Sequence, residues 1–446
     1  MSARQAIKPR EVLTELGRHV LIDGFKLVLD LEKSRGSRVV DADTGRTLLD
    51  LYGCFASMPL GYRHPRFDDP DVQRDLLAAA RSKVANSDVY CTLYADFVRT
   101  FHYYAGLPPL ERYFFVEGGA MAVENALKAA MDWKVRRNLA AGRGDRGTEI
   151  VHFEGAFHGR SGYTMSLTNT DPLKVAHYAK FSWPRVPAPS LDFSLSQEER
   201  TRDVVEKERL CEEQLQNIMA RQRDDIAAII IEPIQGEGGD RHFRGEWLRT
   251  LRRICDEHDV LLIFDEVQCG GGTTGRMWCC EHFEVRPDLL AFGKKVQACG
   301  VMAGPRLDEV RDNVFRLPGR INSTWGGNLV DMVRATHCLQ VIHEEHLLEH
   351  ATRVGATLVK ELQRLADEYP ILSAVRGRGF MIAFDLSSTE LRETFLRGLF
   401  ELGLLALRAG PRSIRFRPAL DLPEGAVGQA ISILKKQCQR MAVPHG

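Results

Sequence analysis

Six short apolar runs constrain this chain more than any other feature. "RYFFV", "EIVHF", "IAAIIIEP", "VLLIFDEV", "LLAFG" and "GVMAG" fall between Arg112 and Gly304 and are separated by helical or charged segments. Each carries Val, Ile, Leu or Phe on both faces of an extended chain, so neither face can be left in water. Doubly buried strands that alternate with helices predict an α/β fold: a mostly parallel sheet with helices on its two sides. Ligands of such sheets bind outside the carboxyl ends of the strands. The residues that follow each run are therefore the candidates for chemistry.

Outside that region the pattern changes. "SRVVDADTGRTLLDLYG" reads as a hairpin turning at Asp43-Thr44-Gly45. After about Met332 the chain offers a long helical stretch, "LLEHATRVGATLVKELQRLADEYP", then a strand at "GFMIAFDL" and a helix at "TELRETFLRGLFELG". A hairpin around "RAGPRSIRFRP" and a last helix at "AVGQAISILKKQCQRM" complete it. This predicts a second, smaller α+β domain whose hairpin has an arginine-rich edge. The expected division is an N-terminal segment over 1–60 that packs with the small domain, a large domain over 61–331 and a small domain over 332–446. The insertion "SQEERTRDVVEKERLCEEQLQNIMARQRDD" predicts an exposed amphipathic helix.

Composition excludes several function classes. Lys+Arg 60 against Asp+Glu 60 gives no net field to attract nucleic acid or a membrane surface, so small molecules are the expected partners. No run reaches the ~18 apolar residues of a membrane span and the start lacks a signal-peptide core, which predicts a cytoplasmic protein. Ten scattered cysteines without a C-x-x-C pair predict free, mostly buried thiols. No metal site is expected: His152 and His158 flank a strand end without ligand spacing, and His337, His343, His346 and His350 read as one polar helix. Ser161 lacks the G-x-S-x-G context of a serine nucleophile.

Three strand ends carry more specific signals. In "YFFVEGGAMAVENALKAAMDWK" a strand stops at Val116, Gly118-Gly119 turn the chain and a helix begins near Ala120. Glycine allows close approach to a ligand, and open amides at a helix start form an anion site, although a plain strand-to-helix turn has the same signature. The turn is neither a Walker A loop nor G-x-G-x-x-G. "VLLIFDEVQCGGGTTG" ends an apolar strand on Asp265, a partly desolvated carboxylate that needs a cation or serves as a helix cap. "LLAFGKK" ends on Lys294 and Lys295, about one strand-crossover-strand unit beyond Asp265. Together an anion cradle, a strand-end carboxylate and a strand-end amine match the needs of pyridoxal phosphate.

At the level of whole words the chain resembles the class III, fold-type I aminotransferases over nearly its full length. "FFVEGGAMAVENALKAAMDWK", "GAFHGRSGYTMSLTNT", "EPIQGEGGDRHFR", "LLIFDEVQ", "AFGKKVQACGVMAG" and "NSTWGGN" match in content and order. The resemblance implies a seven-stranded-type sheet in the large domain, pyridoxal 5'-phosphate as cofactor and a homodimer with shared active sites. It implies Lys294 as the Schiff-base lysine with Lys295 a neighbour, Gly119 and Ala120 amides on the phosphate, and Thr324 reaching that phosphate from a second subunit. Phe157 would stack on the cofactor ring, Asp265 would hold its nitrogen proton and Gln268 its phenolic oxygen.

For substrate, the resemblance is closest to the branch that moves the terminal amine of L-lysine to 2-oxoglutarate, giving 2-aminoadipate 6-semialdehyde and L-glutamate. Arg160 would then hold the distant carboxylate of lysine, and Arg415 the α-carboxylate of 2-oxoglutarate. Glu237 would cover Arg415 in the lysine half-reaction, and Asn322 and Phe55 would border the substrate. Cys269 and Val296 depart from the family pattern, and both bear on the choice of amine. Ornithine, acetylornithine and 4-aminobutyrate are the alternative donors, and a catalytically silent module on the same fold is the alternative of a different class.

Overall fold

The computed structural model describes residues 7–442. Two N-terminal runs pair as an antiparallel hairpin, β1 (Arg38–Val40) and β2 (Thr47–Asp50). The doubly apolar runs then form β3 (Arg112–Val116), β4 (Glu149–Phe153) and β6 (Ile226–Ile231), and a two-residue strand outside those runs, β5 (Arg185–Val186), lies between β4 and β6 in the chain. A short ribbon follows, β7 (Ile234–Gln235) against β8 (Arg241–His242). β9 (Leu261–Asp265), β10 (Leu289–Phe292) and β11 (Cys299–Ala303) complete the series.

Seven of these make one sheet in the order β3-β11-β10-β9-β6-β4-β5. The pairs β10/β9, β9/β6, β6/β4 and β4/β5 are parallel. β11 is antiparallel to both β10 and β3. The reason is length: the chain between Phe292 and Cys299 is too short for a crossover, so its two strands can only meet antiparallel. Because β11 opposes both neighbours, β3 and β10 point the same way. The carboxyl ends of β3, β10, β9, β6 and β4 therefore share one rim.

Alternate side chains of each strand enter different cores. Leu261, Ile263, Leu289 and Ala291 pack with Ala122, Val123, Ala126 and Trp133 of the helix Gly119–Ala140. Leu262, Phe264, Leu290 and Phe292 face the opposite core with Trp247, Leu251 and Ile254 of the helix Gly245–Glu257. The helix Gln197–Gln222 buries only the stripe Val204, Glu208, Cys211, Leu215 and Met219, which explains its charged sequence.

The C-terminal region builds a four-stranded antiparallel sheet, β12 (Ser373–Arg378), β13 (Met381–Asp385), β15 (Leu407–Ala409) and β16 (Ser413–Phe416), in the order β12-β13-β16-β15. The intervening β14 (Leu404–Leu405) pairs instead with β2 and so ties the N-terminal hairpin to this region. The arginine-rich hairpin does not offer a solvated edge. β16 is an interior strand, and Arg415 and Arg417 are buried at 2% and 0% exposure. Nor do the four histidines lie on one polar helix. The chain breaks at His346, which is left-handed, into the helices Leu329–Glu344 and Leu347–Glu368, and the first buries Met332, Val333, Cys338, Leu339 and Ile342. All ten cysteines are free thiols.

Candidate active site

Each strand of the shared rim delivers polar residues as it leaves the core. β9 ends on Asp265, aligned with Ala291 of β10, so the carboxylate and the Gly293-Lys294 turn are neighbours. Asp265 is 4% exposed; its Oδ1 accepts the amide of Val267 at 3.0 Å and its Oδ2 contacts His158 Nδ1 at 2.8 Å. His158, carried beyond β4, is wholly buried, and its Nε2 has no partner. The imidazole and the Val267 amide therefore fix one carboxylate oxygen each.

The two adjacent lysines are sharply different. Lys295 Nζ donates to the carbonyls of Met58 and Pro418, both at 2.7 Å, and its side chain is sealed. Lys294, in a left-handed backbone conformation, has an amine with no hydrogen bond among the described residues. Burial pushes the Lys294 amine down to about 8; Arg415 adds to the effect and Glu237 opposes it. Burial also lowers Lys295, to about 7. Both amines are depressed, so acidity does not separate them. The two carbonyl partners do, because they leave Lys295 nothing to offer a reacting group.

Val267 joins the remaining rim elements. A Cβ on Gly119 would lie 2.7 Å from Val267 Cγ1, and one on Gly293 would lie 3.5 Å from the same atom. The turn after β3, the end of β9 and the end of β10 thus converge on one side chain. Gly118 adopts φ 95°, where a side chain would be strained, and the helix Gly119–Ala140 starts with no side-chain cap. Ala122 donates the first amide bond within the helix, to the Gly118 carbonyl, so the amides before it are the kind of donors that can take an anion.

The segment Phe157–Arg160 is held by residues outside it. Phe157 donates its amide to Glu232 Oε1 at 2.9 Å, and the buried Glu232, whose pKa is raised by burial, also accepts the Gly236 amide at 3.0 Å. Thr168 accepts the His158 amide and donates to the Gly159 carbonyl. Glu124, on the long helix, accepts Ser161 Oγ and the amides of Tyr163 and Thr164. The phosphate-type turn and the Arg160 loop are thereby one construction. Arg160 itself is exposed, and its guanidinium makes no hydrogen bond among the described residues.

The ribbon turn between β7 and β8 meets β16 at this rim. Glu237 Oε2 accepts Arg415 Nη2 at 2.5 Å and its Oε1 accepts Lys174 Nζ at 2.5 Å. Burial would raise the Glu237 pKa, but Arg415 and then Lys174 outweigh it and hold the carboxyl below its ordinary value. Gln268 Oε1 accepts Arg415 Nη1 at 2.9 Å and Arg417 Nη2 at 3.2 Å. Its NH2 end is left to donate. That is the correct polarity for an acceptor such as a phenolic oxygen. Arg417 pairs with Asp240 at 2.5 Å, and both side chains are fully buried.

Phe55 sits on an unusual turn. Gly53, Cys54, Phe55 and Ala56 all have φ between 49° and 68°, a left-handed run that costs about 1–2 kcal/mol for each non-glycine residue. Asp50 Oδ1 accepts the amides of Tyr52 and Gly53, and Gln297 Nε2 donates to the Ser57 carbonyl at 2.5 Å. With Lys295 on Met58, these bonds bolt the turn to the Lys294 loop, and Phe55 projects from it at 58% exposure.

Lys294, Asp265, Gln268, Glu237, Arg415, Phe157 and the Gly119-Ala120 turn are thus assembled within one chain, whereas Asn322 and Thr324 are not joined to them. Both are exposed, and the Thr324 hydroxyl has no partner among the described residues. Their loop is anchored elsewhere: Asn86 donates its backbone amide to the Trp325 carbonyl, and the Lys83 ammonium lies 3.7 Å from the Trp325 ring centroid. Sequence reasoning missed His158, Val267, Lys174 and Asp240. Only His158 had a usable signal, a histidine directly after the loop aromatic.

Known proteins resemble this chain along nearly its whole length. The profile of the class-III aminotransferases matches residues 23–437. The chain is 49% identical to an L-lysine-epsilon aminotransferase of Mycobacterium bovis over 430 residues, covering 96% of this chain and 95% of that one. It is 48% identical to an L-lysine-epsilon aminotransferase of Amycolatopsis lactamdurans, with 95% of each covered. A solved lysine aminotransferase from M. tuberculosis, in its internal aldimine form, superposes with a TM-score of 0.95 at 47% identity, covering 98% of this chain and 100% of that one.

Proposed function

This chain belongs to the class-III aminotransferases, whose cofactor is pyridoxal 5'-phosphate, and we propose that it transfers the terminal amine of L-lysine to 2-oxoglutarate, yielding 2-aminoadipate 6-semialdehyde and L-glutamate. The observation that carries the donor assignment is the Glu237–Arg415 pair. A guanidinium already covered by a carboxylate beside the Lys294 amine is closed to an α-carboxylate at that place. It suits a donor whose carboxylate lies far from the reacting amine.

The residues fit the cofactor. Open amides at Gly119 and Ala120, crowded by Val267 so that no side chain can fill the cradle, would take the phosphate. Phe157 and Val267 would flank the ring, Asp265 would face its nitrogen and Gln268 its phenolic oxygen. When bound, the cofactor supplies an electron sink for the donor carbon. His158 holds the Asp265 carboxylate in place through its 2.8 Å contact. The Lys294 amine, depressed to about 8, can be neutral near physiological pH and so can take a proton from the amine-bearing carbon. Arg160, without a protein partner, is available to pair bidentately with the far carboxylate of lysine. Asn322 and Phe55 would border that substrate.

The same reading includes a homodimer, in which a second copy brings Thr324 to the phosphate. It is supported by the outward placement of Thr324 and by the exposed aromatics Tyr90, Tyr103 and Trp325. A large domain over 61–331, a small one over 332–446 and an N-terminal segment over 1–60 are the proposed units. Cytoplasmic residence is supported by ten free thiols; no described helix is long and apolar enough to cross a membrane. Single half-reactions, followed as the change in cofactor absorbance, test the donor. L-lysine should react at least tenfold faster than ornithine, acetylornithine or 4-aminobutyrate. A faster rate with any of these would replace lysine as the donor, and silence with all four would remove the catalytic reading.

A further inference from the structure

Glu237 is shared between two cations. Its backbone is pinned on both sides, since Gly236 donates to Glu232 and the Glu237 carbonyl accepts the Gly410 amide at 2.8 Å. Uncovering Arg415 must therefore come from rotation of the Glu237 side chain. That rotation would strand a carboxylate only 23% exposed, which is unfavourable unless a second partner accepts it. Lys174, the last residue of the turn Pro172–Lys174, already holds the other oxygen. Its ammonium also lies 5.4 Å from the Phe157 ring centroid, so it is stationed between the ring-flanking residue and the switch.

We infer that Lys174 is the positioning residue that receives Glu237 when an α-carboxylate takes Arg415, and so sets the affinity for 2-oxoglutarate relative to lysine. The inference rests on the reading of Glu237 as the cover of Arg415. While Arg415 is covered, the two cations divide one carboxylate and repel each other. Once Glu237 leaves Arg415, Lys174 can take the whole carboxylate and the repulsion falls. Its attraction is larger in the open state, and only such a difference can shift an equilibrium between two states.

The test is equilibrium binding of 2-oxoglutarate to the aldehyde form of the holoenzyme by calorimetry, where this keto acid binds without reacting. It is paired with the apparent affinity of lysine in its half-reaction. Lys174→Met should weaken 2-oxoglutarate by about 3- to 10-fold and leave lysine within twofold. Lys174→Arg should restore most of the loss. In a Glu237→Ala background, Lys174→Met should have no further effect on 2-oxoglutarate. Equal losses for both ligands, no loss for either, or an undiminished loss without Glu237 would each overturn the inference. If Glu237→Ala alone leaves the preference between the two ligands unchanged, the reading beneath the inference fails instead.

Discussion

Arg415 and Arg417 leave the same strand two residues apart, and each meets a carboxylate from the ribbon β7–β8, yet the two pairs are built for different ends. Arg417 and Asp240 are both fully buried, with Gln268 and the Phe416 carbonyl completing the guanidinium's contacts. The Arg415 pair lies at the rim, its glutamate part-exposed and shared with Lys174. One pair fixes the small sheet to the ribbon β7–β8. The other is the one that, in the proposed reaction, a competing carboxylate opens. Lys294 and Lys295 repeat the contrast at the end of β10, where one amine is unpartnered among the described residues and the other is tied to two carbonyls. At each place two copies of one residue type stand side by side with different partners, and in the proposed reaction those partners, rather than residue type, separate the reacting copy from the structural one.

The largest expected effect comes from breaking the lysine contrast. Lys294→Ala should abolish turnover and the covalent attachment of cofactor, whereas Lys295→Met should retain both. Borohydride reduction followed by peptide mapping reads this directly, and a label on Lys295 would reverse the assignment. Lys295 should show itself in stability instead. Its folded pKa of about 7 lies below the unfolded value of 10.5, so the unfolded chain binds more protons between them. Its contribution is therefore fully present above about pH 10.5 and is lost as pH falls through about 7. Lys295→Met should flatten that part of the pH dependence of the thermal midpoint.

Next in size is Asp265→Asn, which keeps the shape of the rim but removes its charge. Turnover should fall on the order of 10³-fold, with cofactor still retained through the Gly119-Ala120 cradle. Wild-type turnover would reduce Asp265 to a cap of the chain leaving β9.

Asp240→Asn sharpens the arginine contrast through stability. It leaves a buried guanidinium without its counter-charge and should cost about 3–5 kcal/mol in urea unfolding. The corresponding loss for Glu237→Ala should be smaller, since the Glu237 carboxylate is part-exposed and Arg415 keeps Gln268 as a partner. Similar losses for the two variants would erase the distinction drawn between the pairs.

The rim was legible in the sequence because chain chemistry alone places Asp265 and Lys294 at strand ends, directly after apolar runs. Preferring Lys294 to Lys295 needed the family resemblance, and the contacts that set the two apart, the carbonyls of Met58 and Pro418 on Lys295, come from segments remote in the chain. The same holds for Lys174, Glu237 and Arg415, whose meeting depends on how the small sheet docks. His158 was passed over because its one signal, adjacency to Phe157, is not a metal-ligand spacing, and its partner Asp265 is remote in the chain. The left-handed run at Phe55 was invisible, since Cys, Phe and Ala do not mark such a conformation. The antiparallel β11, by contrast, follows from the short turn before it.

The central claim is that one site accepts two differently placed carboxylates because Glu237 covers and uncovers Arg415. Single-turnover rates with lysine and with glutamate, measured for the wild type and for Glu237→Ala, test it most directly. Removing the cover should leave Arg415 bare beside Lys294, so the lysine-to-glutamate rate ratio should fall by about tenfold. Equal losses with both donors would contradict the claim and make Glu237 a structural brace for the ribbon turn.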